Sequence, residues 1–163
     1  MKLEGTMLVT KNIKKSVRFY QEVLYCTILL DLGTYVVFEG GFCLITEEQY
    51  QELYGVSDIP FTYGNQVSQL GFEDDDIDAF MVHLKKFQDI SIITPLREYP
   101  WGQRSIRFQD PDGHLMEVGE NMKVVVKRFL LAGMSVEETM KKSMFPREFI
   151  EMCSQELTSE GAS

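Results

Sequence analysis

The sequence is poor in cysteine and histidine, and this scarcity limits the metal sites and cross-links that it can form. Its 163 residues include three cysteines, at positions 26, 43 and 153, and two histidines, His83 and His114. No two cysteines have the spacing of a zinc site, and an odd, scattered set does not indicate a disulfide framework. We therefore expect the cysteines to be reduced and buried.

Long hydrophobic runs are also missing. No segment approaches the roughly 20 apolar residues of a membrane span, and residues 1–16 contain no apolar stretch of signal-peptide length. The chain is 44% hydrophobic, which is enough for an ordinary core. We expect a cytoplasmic protein of one domain with an appendage, and no membrane partner.

Positive charge is the third shortage, because the net charge is −9. The whole excess of acid lies in residues 1–120, whereas residues 121–163 are neutral. Such a surface repels nucleic acid, so a nucleic-acid partner is not expected. It suits a cationic ligand, although solubility alone also explains an acidic surface.

What the chain does contain is an internal repeat. Residues 5–46 read as strand, helix and three strands, and residues 66–119 read the same way at an offset of 64 residues. The first helix is predicted to begin at Asn12 and to bury Ile13, Val17, Tyr20 and Leu24. The turn Asp110-Pro111-Asp112-Gly113 is predicted to join the last two strands. Residues 47–65 are the expected connector between the modules 1–46 and 66–120.

Residues 121–163 are predicted to form a helical extension of three helices. Their apolar faces require a partner surface, either on the same chain or on a second subunit. A helix-turn-helix that binds DNA is the alternative, but the acidic residues Glu148, Glu151 and Glu156 in its would-be recognition helix disfavour it.

Three segments together resemble the vicinal oxygen chelate superfamily, which contains glyoxalase I, extradiol dioxygenases and bleomycin-resistance proteins. They are TMLVTKNIKKSVRFYQEVL, VSQLGFEDDDIDAF and PWGQRSIRFQDPDGHLMEV, within residues 3–120. The resemblance implies an α+β fold of two βαβββ modules that form a cupped mixed sheet, commonly as a homodimer. It also implies a small-molecule ligand or substrate.

In the metal-using members of that superfamily, the ligands come from the first and last strands of each module. The matching positions here are Gly5, Leu44 or Ile45, Gln69 and Glu117. Of these, only Glu117 is a good metal ligand and Gln69 a weak one. We therefore expect no resident metal; if Zn, Ni, Mn or Fe binds, Glu117 and Gln69 are its expected ligands.

The candidate site residues each have two interpretations. Glu117 is a ligand-binding carboxylate or a general base in the cup, or a solvated strand residue. Tyr99 and Trp101 form an aromatic wall for a ligand, or a packed corner of the core. Arg104 binds an anionic group of a ligand, or pairs with Glu117 or another acid. His83 and His114 are not at ligand positions of the superfamily, and we expect them to be half-buried or at the surface.

Two functions from different classes follow from the resemblance. We favour a glyoxalase/bleomycin-resistance-like protein that binds a small molecule at a degenerate metal site. The alternative is a metal-dependent enzyme, similar to lactoylglutathione lyase or to another lyase or dioxygenase, in which Glu117 would be catalytic. Whether the chain is an enzyme stays open at this stage.

Overall fold

The computed structural model describes residues 1–64 and 67–160, without the side chain of residue 160. The first repeat and the helix after it follow the predicted order: β1 (Thr6–Thr10), α1 (Ile13–Glu22), β2 (Ile28–Asp31), β3 (Tyr35–Phe38), β4 (Phe42–Thr46) and α2 (Glu47–Tyr54). Its four-stranded sheet has the order β1-β4-β3-β2. The sheet is mixed, because β1 runs parallel to β4 while β3 is antiparallel to both β4 and β2.

The second repeat has the same architecture: β5 (Gln69–Asp74), α3 (Ile77–Leu84), β6 (Ile92–Glu98), β7 (Arg104–Gln109) and β8 (Leu115–Glu120). Its sheet has the order β5-β8-β7-β6, so each repeat places its last strand beside its first. Two four-stranded sheets with helices confirm the predicted α+β fold of two βαβββ modules.

The buried face of α1 differs from the prediction. Asn12 caps the helix as expected, since its side chain accepts a hydrogen bond from the Lys15 amide. However, the buried residues are Ser16, Phe19 and Tyr20, whereas Ile13, Val17 and Leu24 are only half-buried. The prediction used the spacing of apolar residues and so left out Ser16. This polar residue is fully buried, which is possible because its hydroxyl is hydrogen-bonded.

Three helices follow the second sheet, as predicted: α4 (Met122–Leu131), α5 (Val136–Ser143) and α6 (Arg147–Glu160). Ser135 and Glu138 form a capping box at the start of α5. Val126 of α4 packs with Ile150 and Cys153 of α6 in a core cluster. None of the helices within the described residues has the length and apolarity that a membrane span requires.

The chain forms two compact units, and each is assembled from segments that are separate in sequence. The first unit is Met1–Gln69, His83–Ser91 and Gln109–Leu115, and the second unit is Leu70–Val82, Ile92–Phe108 and Met116–Ser163. The turn that joins β7 to β8 therefore belongs to the first unit, although both strands lie almost entirely in the second. The division into a domain at 1–120 and an extension at 121–163 stays a prediction.

Candidate functional site

Glu117 lies on the polar face of β8. Its neighbours Met116 and Val118 are 0% and 2% exposed, so the pleat turns Glu117 to the opposite face of the sheet. Ser105 and Arg107 on the adjacent strand β7 share that face. The carboxylate of Glu117 accepts hydrogen bonds from Ser105 Oγ at 2.8 Å and from Arg107 NH2 at 2.8 Å.

Tyr99 completes this cluster, which we call the Glu117 face: Tyr99, Ser105, Arg107 and Glu117. The Tyr99 hydroxyl is hydrogen-bonded to Arg107 NH1, and the guanidinium of Arg97 lies 4.7 Å from the centre of the Tyr99 ring. Burial by itself raises the pKa of Tyr99, but hydrogen bonds with Arg97, Arg107 and Ser105 outweigh it and lower the pKa below its ordinary value. Arg107 thus connects Tyr99 to Glu117.

Trp101 packs into the core of the second unit. Its ring stacks on Tyr99 with 4.8 Å between ring centres, and its Nε1 donates to Gln103 Oε1 at 3.1 Å. It also packs against the cluster of Met122, Val125 and Phe129 on α4. The packed-corner interpretation of Trp101 therefore describes its contacts, while a role in ligand binding stays a prediction.

Arg104 pairs with acids other than Glu117. Its guanidinium binds Asp78 through two hydrogen bonds, at 3.0 and 3.1 Å, and Glu120 Oε1 through one, at 2.7 Å. These hydrogen bonds raise the pKa of Arg104 above its ordinary value, with Glu120 the largest cause. Arg107, which we had not selected as a site residue, is the arginine at Glu117; cross-strand register on the β7–β8 pair is the signal that would have identified it.

Glu120 fastens the helical extension to the second sheet. It is 2% exposed and accepts from the Arg104 amide at 2.9 Å and from Arg128 NH2 at 3.2 Å. Arg128 lies on α4 and also donates to the Gly102 carbonyl at 2.6 Å. Arg104 and Arg128 are therefore paired with acids of their own unit.

Among the remaining superfamily metal positions, Gln69 alone carries a donor atom on its side chain, and an amide is a weak ligand. Gly5 has no side chain, and Leu44 and Ile45 are hydrocarbon side chains that are both 0% exposed. Gln69 is exposed at the start of β5 and belongs to the first unit. These residues, with a Glu117 that is already hydrogen-bonded, do not fit a divalent metal of the kind that the superfamily uses.

The turn after β7 contains a second group of possible metal ligands. The sequence pattern of this segment predicted only a turn. Atoms of Asp110, Asp112 and His114 lie within 4.8 Å of one another. Asp110 Oδ1 accepts from the amides of Asp112 and His114 at 2.9 and 2.8 Å. Its Oδ2 accepts from Tyr20 Oη at 2.9 Å and contacts His114 Nδ1 at 2.8 Å. These four contacts use the acceptor capacity of one carboxylate.

Asp112 is engaged in the same way by the first repeat. Its Oδ2 accepts from Thr10 Oγ1 at 2.5 Å and from Ser16 Oγ at 2.7 Å, and its Oδ1 accepts from the Lys11 amide at 2.9 Å. The side chains of Thr10, Ser16 and Asp112 are all buried. The acids of the turn therefore bind β1 and α1, and this explains why Ser16 occupies the buried face of α1.

Comparisons with known proteins agree with the fold. The family model of the Glyoxalase-like domain matches residues 3–123. A protein of unknown function from Agrobacterium tumefaciens is 35% identical, with a TM-score of 0.68 over 74% of this chain and 94% of that one. No curated protein matches the chain.

Two further solved structures are similar in fold. A glyoxalase/bleomycin resistance protein/dioxygenase from Nocardioides is 24% identical, with a TM-score of 0.59 over 74% of this chain and 83% of that one. A lactoylglutathione lyase from Agrobacterium tumefaciens is 21% identical, with a TM-score of 0.56 over 72% and 92%. The family model matches residues 3–123, which is well over half of the chain, and the repeat and the two sheets agree with it. This chain therefore belongs to the glyoxalase-like domain family of the vicinal oxygen chelate superfamily.

Proposed function

We propose that this protein binds a small molecule at the Glu117 face without a resident metal. The observation that carries the proposal is the pairing of Glu117 with Arg107 and Ser105. In a metal site of this superfamily, the carboxylate at this position would coordinate the metal. Here it is neutralised by a guanidinium from the neighbouring strand.

The chemistry of the face favours a planar cationic ligand. A ligand that carries a guanidinium or an amidine can take the place of Arg107 on the Glu117 carboxylate, because it offers the same paired donors. The side chains of Arg107 and Glu117 are 23% and 19% exposed, so the pair is accessible from solvent. The stacked rings of Tyr99 and Trp101 lie nearby, and aromatic rings attract planar cations.

The test is a thermal-shift screen of planar cations, such as benzamidine and aminoguanidine, on wild-type protein. A ligand at 100 times its Kd stabilises the folded state by about 2.7 kcal/mol, which is a readily measured rise in Tm. We expect Glu117→Gln to abolish the shift and Glu98→Gln, an exposed acid on β6, to preserve it. If none of the compounds raises Tm, or if the shift persists in Glu117→Gln, the proposal is wrong.

The second candidate function is a metal-dependent lyase or dioxygenase, in which Glu117 is a ligand and Gln69 assists. The carboxylate at position 117 is the observation that favours it. Purified protein incubated with Ni, Zn, Mn or Fe and then desalted distinguishes the two functions by its metal content. One equivalent of metal in wild-type protein, lost in Glu117→Gln, would support the enzyme, whereas metal bound equally by both proteins lies elsewhere on the chain.

We also propose that the protein is a cytoplasmic homodimer, because members of the superfamily are commonly dimers. Sedimentation equilibrium tests the dimer directly, since one chain has a mass of 18.8 kDa. A single species of that mass across the micromolar range would contradict it.

A further inference from the structure

A cavity lies in the first unit, and none of its lining residues belongs to the Glu117 face. Its volume is about 770 Å³, compared with about 230 and 210 Å³ for two others. A volume of this size is typical of sites that hold small organic ligands. We call it the α1 groove.

One wall of the α1 groove is a single face of α1. Five positions line it at spacings of three and four residues: Lys15, Arg18, Phe19, Glu22 and Val23. The other lining residues come from the segments 63–64, 86–91 and 109–113. The end of α3 is held beside the end of α1, because His83 Nε2 contacts the Glu22 carbonyl at 2.8 Å and the centre of the His83 ring lies 4.5 Å from that of Tyr25.

One part of the inner surface of the groove is apolar, although the buried acids Asp110 and Asp112 also line it. Phe19 and Val23 are 9% and 2% exposed, and Phe87 and Ile90 are half-buried on the facing segment. Such a surface favours the hydrocarbon or aromatic part of a ligand.

Most acids in the lining are already paired, whereas two cations are not. Asp110 and Asp112 are saturated by hydrogen bonds within the fold, and Glu22 pairs with Arg18 at 2.9 Å. Within the described part of the chain, neither Lys15 nor Lys86 forms an ion pair, and Asp89 is the one lining acid with neither an ion pair nor a hydrogen bond to its side chain. The groove therefore presents two available ammonium groups on a protein whose net charge is −9.

We propose that the α1 groove binds a small organic anion, a carboxylate on an aromatic or aliphatic body. The apolar surface of Phe19, Val23, Phe87 and Ile90 takes the body, and Lys15 and Lys86 attract the carboxylate. The lining as a whole has three cations and four acids, so attraction of the anion depends on Lys15 and Lys86 themselves and not on the net charge of the groove. This site is independent of the proposed function, because all its residues belong to the first unit and the Glu117 face belongs to the second.

Two probes of equal shape test the proposal: 2-naphthoate, which is an anion, and 2-naphthamide, which is neutral. Amide chemical shifts of ¹⁵N-labelled full-length protein are followed during titration with each probe. We expect 2-naphthoate to shift the amides of α1 and of residues 86–91, and to bind about fivefold more tightly than 2-naphthamide, since exposed ion pairs contribute about 0.2–1 kcal/mol each.

Two double variants distinguish binding that depends on the lysine charges from nonspecific binding of an aromatic compound. Lys15→Gln with Lys86→Gln should remove the preference for the anion while leaving 2-naphthamide binding unchanged. Lys14→Gln with Lys85→Gln removes the same charge from adjacent positions outside the lining and should keep the preference. Glu117→Gln should have no effect, which distinguishes this site from the one proposed above.

Three results would overturn the proposal. One is no binding of 2-naphthoate at millimolar concentration. Another is shifts that avoid α1 and residues 86–91. The third is a preference for the anion that survives the loss of Lys15 and Lys86.

Discussion

Glu117 Oε2 and Arg107 NH2 lie 2.8 Å apart across the β7–β8 pair, so the one carboxylate among the superfamily metal positions is bound to a cation of its own chain. A half-buried carboxylate without a partner would be costly, and Arg107 reduces that cost.

A double-mutant cycle measures the strength of this pair. Both side chains are about a fifth exposed, so we expect Arg107→Met and Glu117→Gln each to lower the free energy of unfolding by about 1–3 kcal/mol. The double variant should lose less than the sum, with a coupling energy of about 1–2 kcal/mol. Urea unfolding provides the values; strictly additive losses would show that the pair contributes nothing.

Glu120→Gln should be more damaging than the loss of an exposed acid. The buried carboxylate has Arg104 and Arg128 as partners. Its neutralisation leaves Arg128 without its acid and Arg104 with Asp78 alone, at a cost of about 3 kcal/mol. Glu156→Gln is the matched control, because Glu156 pairs with Lys123 and Lys127 on the same helical extension but is more exposed. Equal losses in chemical denaturation would contradict the role of Glu120 as the fastening residue.

Gly102 and Gly133 form a second matched pair, because both have a positive φ, of +88° and +86°. A Cβ on Gly102 would lie 2.1 Å from Cζ of Phe129, whereas a Cβ on Gly133 meets nothing within 4 Å. Gly133→Ala should therefore cost about 1 kcal/mol of backbone strain, and Gly102→Ala that amount plus about 1–3 kcal/mol of overpacking. Similar Tm values for the two variants would contradict the close contact of Gly102 with α4.

Stability should fall above pH 10 because of Tyr20. Burial, together with Asp110, raises the pKa of Tyr20 well above its ordinary value of 10.0. Above that value the unfolded chain loses the phenol proton while the folded protein keeps it, so the free energy of unfolding decreases with pH by about 1.4 kcal/mol per unit for this group. The loss begins near pH 10, and the full contribution of Tyr20 is present below it.

Tyr20→Phe removes this titration. The variant is expected to be less stable at pH 8, because Asp110 loses a donor, but its stability should decline less steeply between pH 10 and 11. Urea midpoints at half-unit intervals of pH measure both slopes. Parallel slopes would show that Tyr20 does not stay protonated in the folded protein.

The sequence predicted the order of the elements because their signals are local. The start of α1 at Asn12 and the order of the strands in each repeat were predicted from residues close together in the chain. Residues that pair across the sequence were not predictable in this way. Arg107 reaches Glu117 through strand register, and Ser16 is buried because it binds Asp112, which lies 96 residues away.

The same reasoning explains what was missed at the turn. Asp110-Pro111-Asp112-Gly113 satisfies the composition of a hairpin turn, and nothing in that local pattern indicates that both acids are buried. Their partners Tyr20, Thr10 and Ser16 come from the first repeat. A polar residue at an otherwise apolar helix position, such as Ser16, was the available hint.

The hydrogen bonds of Asp112 have a consequence for biosynthesis. Thr10 and its carboxylate partner are separated by 102 residues, and the first unit also needs residues 83–91 and 109–115 to be complete. During translation, β1 and α1 therefore emerge long before the chain that satisfies their buried hydroxyl groups. Contacts of such long sequence separation slow folding. The first 64 residues are therefore expected to stay accessible to proteases and chaperones until the turn at 110–113 has left the ribosome.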